Sequence, residues 1–124
     1  MYSKECVETF LKQQGQLFDE PVAETLFGHC KVDGFFLEYD SERSGDFSPL
    51  RYIKDQKVVL GLITSKFPEL ENKDEVKNRI KEAEKYVPKE QLCLSPQCGF
   101  SSTEEGNVMT EEEQWAKVKL VKEI

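Results

Sequence analysis

The run KVVLGLIT, residues 57–64, decides the fold. From Val58 to Ile63 apolar residues fill consecutive positions, where a strand with one wet face would alternate apolar with polar. A strand of this kind is buried on both faces, which is the habit of parallel sheets with helices on either side. Working outward, VDGFFLEY (32–39) is a second such run and QLCLS (91–95) a shorter third. Helical signals follow each strand. Ser48 and Pro49 read as cap and first position of a short helix, SPLRYIKD. Asn72 with Glu75 resembles a capping box opening a helix over about residues 73–86, with Val76, Ile80, Ala83 and Val87 on one face. Thr110 and Glu113 open a last helix whose buried stripe is expected to be Trp115, Val118 and Val121.

Three β-loop-α units define an α/β fold with parallel strands covered by helices and right-handed crossovers. Upstream, a polar helix is expected over about residues 4–14, ended by Gly15. EPVAETLFGHC (20–30) gives a second helix, with Pro21 near its start and Val22, Leu26 and Cys30 on one face.

The chain has 124 residues, enough for one domain. A net charge of −7 argues against phosphate backbones and anionic membrane surfaces as partners. No apolar run approaches the roughly 18–20 residues of a membrane span. The opening MYSKECVETF has neither the basic nor the apolar segment of a signal peptide, so a cytoplasmic protein is expected. On that expectation the four cysteines, at 6, 30, 93 and 98, are reduced thiols. Cys93 and Cys98 do not have the two-residue gap of a zinc knuckle or redox pair.

Ligands of parallel α/β folds bind at the carboxyl ends of the strands. That rule selects Glu38, Tyr39, Asp40, Glu42 and Arg43 after the first strand. It selects Thr64, Ser65 and Lys66 after the second, and Cys98, Ser101 and Ser102 after the third. Glu38 ends an apolar strand, where a charge needs a partner. It reads either as an ion pair with Arg43 at the sheet rim or as a ligand or acid/base. Cys98 reads either as a small buried thiol or as a functional one. The adjacent His29 and Cys30 end a helix and precede a strand, which places them at the opposite end of the sheet. Neighbours in sequence are also poorly disposed to share one tetrahedral ion. No Ser-His-Asp arrangement can be built from the single histidine, and no Gly-rich phosphate loop follows a strand.

The segments VDGFFLEYDSERSGDFSPLR, VVLGLITSKFPELENKDEVKNRIKEA, QLCLSPQCGFSSTEEGN and TEEEQWAKVKLV together resemble the C-terminal part of the cobalamin-independent methionine synthases, and more narrowly their short, single-barrel bacterial branch. The resemblance covers about residues 20–124 and leaves residues 1–19 as a divergent N-terminal segment. It implies that the three units are the last three strands of a TIM (β/α)8 barrel. It implies a zinc enzyme that transfers a methyl group to the thiol of homocysteine, the metal being held by a His-x-Cys motif, a strand-ending glutamate and a cysteine in a P-x-C-G segment. Glu38 and Cys98 match the last two of these. Thr64, Ser65 and Asp40 fall where substrate would lie, and Thr64 and Ser65 stand where long folate-dependent members have a histidine.

No His-x-Cys occurs in the sequence. Two ligands fall short of the three, plus an open position, that zinc catalysis uses. The isolated chain is therefore expected to be inactive unless a partner chain or a second copy completes the site. The alternative is a truncated, non-enzymatic relic or an interaction module pairing through exposed sheet edges.

Overall fold

A computed structural model of the chain describes residues 20–39, 46–101, 106 and 108–124. The expected helix over 4–14 lies outside them. The described elements run in the order α1 (Glu20–His29), β1 (Gly34–Glu38), a 3-10 turn (Ser48–Tyr52), β2 (Lys57–Ile63), α2 (Lys73–Ala83), a second 3-10 turn (Lys89–Gln91), β3 (Leu92–Pro96) and α3 (Glu111–Glu123). The strands form one all-parallel sheet in the order β1-β2-β3, so KVVLGLI is the central strand, as its double-sided apolar pattern requires. The short helix expected at 48–55 is the single 3-10 turn Ser48–Tyr52.

The helix starts follow from the sequence. The Asn72 side chain accepts from the backbone N–H groups of Asp74 and Glu75 at 2.8 and 3.3 Å. Thr110 and Glu113 form a full reciprocal box. Each cap satisfies amide donors that the first helical turn cannot pair internally.

The strands are parallel and covered by helices, as expected, and the two faces of the sheet differ. Phe35 and Leu37 of β1, Val58, Leu60 and Leu62 of β2, and Leu92 and Leu94 of β3 belong to the core, together with Ala23 and Phe27 of α1, Val76 and Ala83 of α2 and Leu120 of α3. Phe27 meets Phe35 edge-on at 5.0 Å. The alternate residues face the other way. Phe36, Val59 and Cys93 lie side by side in the register, and Phe36 is 82% exposed. Val59 is half-buried and Cys93 exposed, whereas Gly61 and Ile63, further along the middle strand, are buried, so this face is open among the described residues only towards its amino end.

Two further readings are corrected. The stripe of α3 is rotated from the one expected: Trp115 and Val118 are exposed, whereas Lys117 and Leu120 are buried and Val121 packs on the core. Lys117, Leu120, Val121 and Ile124 keep i, i+3, i+4, i+7 spacing, but a lysine in that pattern reads as solvent-facing. Cys30 is not a reduced thiol; it is disulfide-bonded, while Cys93 and Cys98 are free. Spacing along a chain cannot reveal which thiols meet in space.

Candidate functional site

The register aligns Glu38 with Gly61 and Gly61 with Ser95, so the three strands end on a common rim at their carboxyl ends. The pairing carries past the strands: Tyr39 donates its N–H to the Gly61 carbonyl at 2.9 Å and Gln97 donates to that of Ile63 at 2.7 Å. Both flanking segments thus leave the sheet held to the middle strand.

Glu38 projects from β1 on the uncovered face and is exposed, which removes the desolvation penalty that its place in the sequence suggests. Its carboxylate accepts from Gln97 Nε2 at 2.9 Å, a bond that crosses the middle strand. Gly61 makes the crossing feasible. A Cβ there would stand 3.1 Å from Gln97 Cα, 3.1 Å from the Leu37 carbonyl oxygen and 3.5 Å from Glu38 Cα. The expected alternative partner, Arg43, lies outside the described residues, as do Asp40, Glu42 and Ser102.

Cys98, next along from Gln97, has its Sγ 3.0 Å from the Oγ of Ser65, which is buried on the loop after β2. Its neighbour Thr64 donates its backbone N–H to Glu71 at 2.8 Å. Glu71 in turn pairs through both carboxylate oxygens, each at 2.9 Å, with Lys117 Nζ of α3. Lys117 is fully buried and also donates to the Glu69 carbonyl. On the other side of the rim, Arg79 of α2 donates to the Tyr39 carbonyl and lies over the Phe47 ring at 5.2 Å. Tyr39 itself is core: its ring packs on Phe47 at 4.5 Å, and burial pushes its phenol far above the usual range.

The structure therefore brings together Glu38, Thr64, Ser65 and Cys98 from the sequence-selected set. Lys66 and Ser101 are exposed. His29 is exposed at the opposite end of the sheet, and the disulfide at Cys30 denies it a thiolate. Sequence reasoning missed Gln97, Glu71, Arg79 and Lys117. Only Gln97 carried a usable signal, as an amide flanked by Pro96 and Cys98 at a strand end.

Among the described residues no group of three His, Cys, Asp or Glu side chains converges as a metal-binding set. The rim nevertheless has an unmet demand. Gln97 Oε1 is buried without a hydrogen-bond partner among the described residues, although the same amide donates to Glu38. Such an acceptor calls for a donor or a cation from elsewhere. A groove of about 420 Å³ lies between α2, β3 and the end of α3, lined by Ile80, Glu84, Leu92 and Val121 among others; it contains neither Glu38 nor Cys98 and sits at the amino end of β3.

Three parallel strands with helices packed on one face are consistent with a segment of an α/β barrel. The family model "Cobalamin-independent synthase, Catalytic domain" matches residues 27–119, and the chain belongs to this family. It is 64% identical over 107 residues to the uncharacterized protein YxjG of Bacillus subtilis and 60% identical over 107 residues to the uncharacterized YxjH of the same organism. Each match takes in 85% of this chain and 28% of the relative. A methionine synthase of Pyrococcus abyssi is 29% identical over 74 residues. A crystal structure from Listeria monocytogenes, of a protein provisionally described as a vitamin-B12-independent methionine synthase, superposes with a TM-score of 0.64 at 51% identity, over 84% of this chain and 31% of that one. The chain thus spans under a third of these Bacillus and Listeria relatives. No helix among the described residues is long and apolar enough to cross a membrane.

Proposed function

We propose that residues 20–124 are one part of a barrel whose rim carries half of a zinc site for methyl transfer to the thiol of homocysteine. Glu38 and Cys98 are the two ligands present, a carboxylate and a thiolate of the types that hold catalytic zinc. The observation that carries the reading is the Glu38–Gln97 bond, which ties the acid's strand to the segment bearing the thiol across a glycine. The orphaned Gln97 oxygen supports it, since the rim is built to receive something more. Zinc, when bound, would hold a homocysteine-type thiol as its thiolate at neutral pH. The chain's own residues hold and orient: Gln97 fixes the carboxylate, and Ser65 lies against the cysteine. Thr64, Ser65 and Asp40 are the proposed substrate-proximal residues. Without the remaining ligands the isolated chain binds zinc weakly and does not turn over.

Zinc competition against a chromophoric chelator tests this. The expected result is well below stoichiometric, weak binding that disappears on Cys98→Ser or Glu38→Gln and survives Cys93→Ser. Tight stoichiometric zinc that survives Cys98→Ser overturns the reading. On the second face of the sheet Phe36 is 82% exposed among the described residues, which favours a second reading as an interaction module. A concentration-dependent mass by light scattering, abolished by Phe36→Ser in a chain that binds no zinc, would favour it.

A further inference from the structure

We propose that the buried Lys117–Glu71 pair is a positioning device, fixing the loop after β2 so that Ser65 is held against the Cys98 thiol. An ammonium group at 0% exposure costs heavily in desolvation and is retained only if well paired. Leu120 and Val121 already dock α3 on the core, so the helix has no need of a buried charge to bind there. Lys117 instead crosses to the 64–71 loop, where three of its contacts lie: both oxygens of Glu71 and the carbonyl of Glu69. Glu71 spends one of these same oxygens on the Thr64 N–H, one residue before Ser65. The chain of bonds then runs from α3 through Glu71 and Thr64 to Ser65 Oγ and Cys98 Sγ.

The order of the links matters. The Thr64–Glu71 bond closes the loop on itself, and Lys117 clamps that closure to the last helix. Cys98 lies on a different loop, after β3, and its Sγ meets the first loop at Ser65 Oγ. A slack 64–71 loop would leave the thiol without this polar neighbour. The consequence for metal binding rests on the proposed role of Cys98, whereas the positioning does not.

Two free cysteines allow an internal reference, because Cys93 is exposed on the open face and has no part in this chain of bonds. The test is the rate of iodoacetamide alkylation at Cys98 relative to Cys93 in the full 124-residue chain, read by mass spectrometry at one pH without metal. The expected result is a ratio raised roughly three- to tenfold by Glu71→Leu and by Lys117→Met, the population change that one net hydrogen bond sustains. Ser65→Ala should raise it as far, and adding Glu71→Leu to Ser65→Ala should raise it no further, as for links of one chain. Glu71→Gln keeps an acceptor for the Thr64 N–H and should keep the ratio near wild type. The double variant Lys117→Met/Glu71→Leu refills the site with apolar volume and preserves the fold, yet the ratio should stay raised. An unchanged ratio in that double variant, or a Glu71→Gln ratio as high as that of Glu71→Leu, overturns the proposal. So does an additive effect of Ser65→Ala and Glu71→Leu. If the ratios behave as expected while zinc binding ignores Cys98→Ser, the positioning device stands and the metal reading falls.

Discussion

The two faces of one three-stranded sheet, built from alternate residues of the same strands, have opposite fates. Phe35, Leu37, Val58 and Leu60 disappear beneath three helices, while on the other face Phe36 and Cys93 are exposed and Val59 is half-buried. The covered face gives the chain its stability; the open face leads directly to the rim where Glu38 and Gln97 meet. In a closed barrel both would be interior. Here the separation shows which side chains hold the fold and which were placed for something added to it.

The largest effect should come from a direct contrast between the faces. Leu60→Ala, at a fully buried position on the covered face, should cost about 2–5 kcal/mol in urea unfolding. Phe36→Ser, one strand away, should change stability by no more than ~0.5 kcal/mol. If Phe36→Ser proves as costly as Leu60→Ala, the second face is covered and the contrast is broken.

A smaller effect sharpens it at the rim. Gly61→Ala places a methyl group against backbone atoms of two neighbouring strands, which cannot swing aside as a flexible side-chain end would, so a loss of about 1–3 kcal/mol is expected. Gly28→Ala, in α1 with nothing within 4 Å of the new methyl, should instead stabilise by up to ~1 kcal/mol. Paired thermal melts of the two variants decide the matter, since equal shifts would mean that Gly61 tolerates a side chain and the strand-crossing bond does not depend on it.

The smallest effect concerns the loop that follows β1. Hydrogen bonds from the Ser48 hydroxyl and N–H hold the Asp46 carboxyl below its ordinary value of 3.8. A carboxyl lowered on folding lends stability above its unfolded pKa and loses it as pH falls through the folded one. Asp46→Ala should therefore be slightly less stable than wild type at neutral pH, with the gap narrowing below about pH 4. Because Asp46 is exposed, the gap is small, and one that widened on acidification would contradict the assignment.

The legible part of the molecule was its local chemistry. Continuous apolar runs gave the parallel strands, and Asn72 and Thr110 gave helix starts because a cap is a short-range affair. Glu38 and Cys98 were legible as rim residues from strand ends alone, and their proposed role as ligands comes only from the family resemblance. Long-range pairing was not legible. Nothing local marks Lys117 as buried, because its partner Glu71 lies 46 residues away and both look like solvated charges in sequence. The same blindness misassigned the stripe of α3, where Trp115 seemed the natural anchor and is 65% exposed. The state of Cys30 was illegible for a different reason: a thiol's fate is set by what stands opposite it in space.

The arithmetic of the strands has its own consequence. Among the described residues β1 and β3 each pair on one side alone, so each offers a line of unpaired amides and carbonyls. If β1 of one molecule pairs in parallel with β3 of the next, the association is head to tail and closes into a ring or grows without limit, whereas like edges paired about a two-fold axis give a closed dimer. Three does not divide eight. Two molecules would bring six strands and three would bring nine, so no number of copies reproduces the eight-stranded barrel of this architecture. Head-to-tail copies of this three-stranded unit therefore never close at eight, and pairing of like edges about a two-fold axis ends at six strands.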